Sequence, residues 1–125
     1  MAKMSEAERR KAQPLARGCL DYFPDALLAV AALSKIGNDQ HNPGEPMHWA
    51  RKKSTDHADC ILRHMVDRGK TDIDGVRHST KVAWRALAQL QLEIEASVRT
   101  SNARPDRTGD RCAVCGLLRE VCQGL

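Results

Sequence analysis

Residues 25–36, DALLAVAALSKI, are apolar on nearly every side of a helical wheel. A helix of that kind is normally buried by other helices, so the segment demands a partner surface. Pro24 stands just before it, at the first helical position, where a missing N–H costs nothing. Gly37 follows and is the expected terminator. Aromatic residues make up only 3% of the chain and β-branched runs are scarce, which disfavours a sandwich or barrel. The expectation is an all-α fold, a small helical bundle. The 125 residues suffice for one small domain. The core of such a domain is modest, so oligomerisation would complete it.

Other helices follow from caps and periodicity. Ser5 opens a short charged helix over residues 5–12, and Pro14 stops it. Residues 37–53, GNDQHNPGEPMHWARKK, read as a long loop, and loops of that length in small domains are usually functional or disordered. Ser54 or Thr55 caps a helix to about Arg68, ended by Gly69. Asp72 or Asp74 caps a last helix from about Gly75 to Arg99, with Val76, Ala83, Leu87, Leu90 and Ile94 as its apolar stripe. Beyond it, TSNARPDRTGDR reads as a polar linker and CAVCGLLREVCQGL as a separate small element. The organisation is an N-terminal arm (1–20), a helical domain (21–99), and a linker with a Cys-containing tail (100–125).

Several classes are disfavoured. No apolar stretch approaches the ~20 residues that span a bilayer, so no membrane partner is expected. The start, MAKMSEAERRKAQP, lacks the apolar core of a secretory signal. Five cysteines, an odd number, suggest reduced thiols in a cytoplasm. A formal charge of +4 suits an anionic ligand but is too weak to imply nucleic-acid binding by itself.

Some residues could carry chemistry. On the helix after Ser54, Ala58, Ile61, Leu62 and Met65 share one face, and Asp56, Asp59, Arg63 and Asp67 share the other. Asp56 and Asp59, at i and i+3, can converge on one hard divalent cation. They equally suit a wet face with an Asp59–Arg63 pair. Asp25 lies in the first turn of the most apolar helix, where either the helix dipole or a metal answers its charge. Asp21, one turn earlier, adds a further acid. His78, Lys81 and Arg85 lie opposite the last apolar stripe and could grip a polyphosphate, or simply be solvated. Arg51, Lys52 and Lys53 precede a helix N-terminus, a setting that favours anions. His48 and Trp49 could stack on a base, or Trp49 could anchor the loop on the core. Cys112-x-x-Cys115 with Cys122 is a partial zinc set, without a complete four-ligand spacing. No P-loop, nucleophile elbow or dinucleotide fingerprint is present.

Taken together, residues 21 to about 95 resemble the phage-associated dATP/dGTP diphosphohydrolase family, a branch of the MazG-like all-α nucleotide pyrophosphohydrolases. The carriers are Pro24-Asp25-Ala26-Leu27, His48-Trp49, Asp59 with Arg63-His64, the Asp72 turn, and His78 with Trp84. The resemblance implies a helical bundle completed as a homodimer or homotetramer, with Mg²⁺ or Mn²⁺ held by carboxylates. It implies a purine deoxynucleoside triphosphate as substrate, cleaved at the α-phosphorus to monophosphate and pyrophosphate, in the cytoplasm of the host cell if the chain is phage-encoded. Of the family's Glu-x-x-Glu and Glu-x-x-Asp pair, the second half stands as Asp56-x-x-Asp59. The first half is missing, and Asp21, Asp25, Glu45 or a neighbouring subunit could complete the set. The implied metal ligands and catalytic acids are Asp25, Asp56 and Asp59, with Asp21. The phosphate-binding candidates are Lys35, Lys53, Arg63, His78, Lys81 and Arg85. Those for the base are Asn38, His41 and Trp49. A structural Zn²⁺ could sit on Cys112, Cys115 and Cys122.

Two other readings use the same residues. A basic helical module could dock on nucleic acid through Arg51–Lys53 and Arg104–Arg111, its tail braced by zinc. Alternatively, the long helices form only a scaffold. Nucleic acid is not the expected partner.

Overall fold

Helix caps and breakers account for most of the element order. The computed structural model describes residues 3–102, with side chains as far as Val98. Helix α1 spans Glu6–Lys11, a π-helical turn covers Ala16–Leu20, α2 spans Pro24–His41, α3 spans His57–Val66 and α4 spans His78–Asn102. Among the described residues the regular structure is all helical, apart from one isolated antiparallel bridge between Thr71 and Arg77. The chain divides into two compact units, one ending at Met47 and the other starting at His48. The cysteine tail and its zinc set, Cys112, Cys115 and Cys122, lie outside the described residues, as do Arg104–Arg111.

In the first unit, Ser5 caps α1 with a full capping box. Its Oγ accepts from the Glu8 N–H at 3.1 Å, and the Glu8 carboxylate accepts from the Ser5 N–H at 3.3 Å. Helix α2 starts at Pro24 as expected but does not stop at Gly37. Among the described residues the positive-φ glycines are Gly44, Gly69 and Gly75, so Gly37 stays right-handed and the helix runs on to His41. The extension adds Asn38, Asp39 and His41 to the helix, so α2 does carry an acid beyond Asp25. Asp39 pairs with Lys35 at 2.9 Å, one turn earlier. The long loop is correspondingly shorter. The apolar character of α2 does not translate into burial: Leu28 is 68% exposed, and the one buried residue of the helix is Asn38. Asn38 Nδ2 donates to the Glu45 carbonyl at 3.1 Å, which folds the next loop back onto the helix end.

In the second unit α3 packs on α4. Both helices start later than their caps suggest. Asp56, not Ser54 or Thr55, is the residue before α3, and its side chain makes no capping bond. Asp72 and Asp74 shape the loop ahead of α4 rather than capping it. The Asp72 carboxylate accepts from the Ile73 N–H at 2.7 Å, the Asp74 carboxylate accepts from the Val76 N–H at 3.0 Å, and Gly75 turns the chain at φ +84°. Gly69, also at φ +84°, closes the exit from α3, as its position suggested. Helix α4 reaches Asn102, past the expected start of the linker.

The inward faces differ from those the periodicity picks out. On α3 the buried residues are His57 and Cys60, while Leu62 is 65% exposed. On α4 Thr80 and Ala88 are buried, while Leu87, Leu90 and Ile94 are exposed. Two short polar pairs link the helices. His57 meets Arg85 and His64 meets His78, so the chain directions are antiparallel. Polar partners on both helices let this face close, because each group finds its bond on the other element.

Candidate functional site

Helix α3 and the first half of α4 form a face of alternating acids, imidazoles and cations. Asp56, beside the first turn of α3, accepts from the Cys60 thiol at 3.5 Å and lies 3.7 Å from Arg63 Nη2. The thiol bond is the main cause that holds its carboxyl below the usual carboxylate range. Arg63 also donates to Cys60 Sγ at 2.8 Å, so Arg63 pairs with Asp56 and not with Asp59. Asp59 is exposed on the same turn.

One turn inward, Arg85 Nη1 donates to His57 Nδ1 at 3.2 Å. A guanidinium has no acceptor, so His57 Nδ1 takes the bond with its lone pair and the ring proton sits on Nε2. His57 is 4% exposed and its Nε2 has no partner among the described residues. Burial, then the Arg85 charge, lowers its pKa from the ordinary imidazole value.

At the other end of the hairpin, His64 Nδ1 and His78 Nδ1 are 2.8 Å apart. His78 Nε2 lies 3.9 Å from Asp72 Oδ1. Lys81 Nζ bridges Asp72 Oδ2 at 2.6 Å and Asp74 Oδ2 at 2.7 Å. Burial opposes the Lys81 charge, but the two carboxylates outweigh it and raise its pKa. In return, the Lys81 bonds are the leading cause lowering both aspartates. His64 is lowered by burial first, then by the Lys81 charge.

The candidate residues fall into place as follows. Asp21, Asp25, Lys35, Asn38 and His41 belong to the first unit; Trp49, Lys53, Asp56, Asp59, Arg63, His78, Lys81 and Arg85 belong to the second. Within the second unit, the group of three close ligands among the described residues is His64, Asp72 and His78, and neither Asp56 nor Asp59 belongs to it. Lys81 is held by two carboxylates, so it reaches a phosphate only by leaving them. Trp49 packs edge-on against Trp84 at 5.9 Å between centroids, with the Arg51 guanidinium 4.5 Å from its ring. Arg51 in turn binds Glu95 at 3.0 Å. Lys53 is exposed in the turn before α3. His57 was not singled out from the sequence, and Asp74 was read only as a helix cap. The usable signal was the spacing of His57, Cys60 and His64, which fall on one helical face.

These features define an all-α protein with carboxylates and guanidinium groups side by side on a helical hairpin. The model of a family described as dATP/dGTP diphosphohydrolase, N-terminal, matches residues 4–101, and the chain belongs to that family. No curated protein and no solved structure matches the chain. Among the described residues, no helix is long and apolar enough to cross a membrane.

Proposed function

We propose that this chain is a metal-dependent hydrolase that converts dATP or dGTP to the monophosphate and pyrophosphate, shaping a nucleotide pool during phage infection. The observation that carries the reading is the family match across residues 4–101. The chemistry of the α3 face supports it. Asp56 and Asp59 are hard oxygen donors at i and i+3 beside the first turn, a donor type that fits Mg²⁺ or Mn²⁺. Asp21 and Asp25 are the candidate acids of the first unit. A bound divalent ion supplies Lewis-acid neutralisation of the phosphate oxygens.

The chain's own groups do the rest. Arg63, 66% exposed and paired only loosely with Asp56, is available to a phosphate oxygen. Arg85 keeps the His57 ring in one tautomer, which fixes the inner side of the α3 first turn. No side-chain nucleophile is required when water attacks phosphorus and positioning dominates. The exposed apolar face of α4 and the exposed α2 support assembly as a homodimer or homotetramer.

Incubation with each dNTP and Mn²⁺ tests the reading. Pyrophosphate should appear with dGTP or dATP, and Asp56→Asn or Asp59→Asn should lower its release by roughly 10²-fold or more, the scale for losing one group that answers developing charge. No release over background with any dNTP would remove the proposal.

A further inference from the structure

We propose that His64, Asp72 and His78 form a binding site for a borderline divalent transition-metal ion of the Zn²⁺ and Co²⁺ class, separate from the carboxylates at the start of α3. One ring nitrogen from each histidine and one carboxylate oxygen of Asp72 lie within 4.8 Å of one another. An ion with bonds of about 2.0–2.2 Å sets its ligands roughly 3–4 Å apart. Small side-chain rotations therefore bring all three ligands onto one ion.

The nitrogens already converge. Two imidazole nitrogens 2.8 Å apart can share only one proton, so each ring points a lone pair or a single hydrogen at the other. A metal ion takes the place of that proton and accepts both lone pairs, and Asp72 Oδ1, which faces His78 Nε2 at 3.9 Å, turns toward the Nδ1 side to join them.

Local charge does not oppose a cation: the Asp72 and Asp74 carboxylates offset Lys81 and the Arg63 charge that reaches His64. Lys81 occupies Asp72 Oδ2, and Oδ1, which accepts the Ile73 N–H at 2.7 Å, keeps a second lone pair on the His78 side. Lys81 thus orients the ligand carboxylate from outside, as second-shell groups do at metal sites.

The three ligands are also pre-positioned. His64 lies in the last turns of α3 and His78 is the first residue of α4. Asp72 sits in a loop closed by its own N–H to the Val76 carbonyl at 2.8 Å and by the Gly75 N–H to its carbonyl at 2.9 Å. The His78 N–H donates to the Lys70 carbonyl at 3.1 Å, tying the loop to the start of α4. All three ligands are half-buried, and at ~1.5 Å per residue the site lies about 12 Å along α3 from Asp56. Imidazole donors select Zn²⁺, Co²⁺ and their neighbours, whereas Mg²⁺ prefers an all-oxygen shell. Three protein ligands leave a coordination position open, as in sites that also take water or a substrate oxygen.

The test uses the full chain with Cys112, Cys115 and Cys122 changed to Ser, so that the tail thiols cannot hold the metal. After chelation, Zn²⁺ is titrated calorimetrically and Co²⁺ by visible absorption. The result expected is one ion per chain, with displacement of the imidazole ¹⁵N resonances of His64 and His78. Zn²⁺ affinity should fall at least ~10–100-fold in His64→Gln and in His78→Gln, with apo circular dichroism unchanged. The ¹⁵N readout needs no ligand variant and so stands even if one fails to fold. Three results would each overturn the proposal: no uptake of Zn²⁺ or Co²⁺, uptake that leaves both imidazole resonances unmoved, or displacement of Zn²⁺ by equimolar Mg²⁺.

Discussion

Replacing Gly37 by Ala should stabilise the protein. Gly37 lies inside α2 with a right-handed backbone, and a Cβ built there meets nothing within 4 Å. The substitution therefore creates no clash and exchanges glycine's helix cost for alanine's. That difference is about 0.8–1.0 kcal/mol in an exposed helix interior. Part of it acts through the unfolded chain, so a gain of about 0.5–1 kcal/mol is expected. For a domain near 100 residues this raises Tm by roughly 3–6 °C. Urea unfolding followed by far-UV circular dichroism measures it: the midpoint should rise with the slope unchanged. Gly75→Ala supplies the opposite sign. Its site is equally open, but φ is +84°, so a methyl group strains the backbone by about 1–2 kcal/mol. Both tryptophans, Trp49 and Trp84, belong to the same unit as Gly75, so their fluorescence reports that loss. A lower midpoint for Gly37→Ala would mean that Gly37 terminates the helix after all, and the reasoning about α2 would fail.

Other outcomes follow from the same geometry. Trp84→Ala removes the edge-on contact with Trp49 from a half-buried position and should cost roughly 2–3 kcal/mol in chemical denaturation, below the value for full burial. Ser5→Ala breaks the capping box and should cost α1 about 1 kcal/mol, visible as faster hydrogen exchange at the Glu8 amide. Arg51→Ala should change stability by no more than about 1 kcal/mol, since its pair with Glu95 is partly solvated; a larger loss in urea would show that its stacking on Trp49 matters more. Chelation of divalent ions should stop pyrophosphate release and added Mn²⁺ should restore it; activity that persists in chelator refutes metal dependence.

The helices were legible where local chemistry decides. Pro24, Ser5 and Gly69 each act within a turn of their own position, through a missing N–H, a side-chain acceptor or a left-handed φ. Gly37 misled for the opposite reason. Glycine permits a stop without requiring one, and the Asn38 bond to the Glu45 carbonyl supports the helix end a turn later. The candidate site was partly legible. Spacing put Asp56, Asp59 and Arg63 on one face and paired Arg63 with Asp59, but Arg63 meets Asp56 instead; Lys81 was read as an open cation because its partners, Asp72 and Asp74, lie in a loop whose fold periodicity does not describe.

The amino-acid sequence alone was enough to make this an all-α chain, since composition, caps and breakers act over a few residues and need no distant partner. Tertiary structure decided which faces turn inward. Periodicity marks Ala58, Ile61, Leu62 and Met65 as an apolar face, but of these only Ile61 is half-buried, and α3 presents His57 and His64 to α4. Burial depends on the surface that receives it, and α4 offers Arg85 and His78, which reward imidazoles with hydrogen bonds that a leucine cannot make.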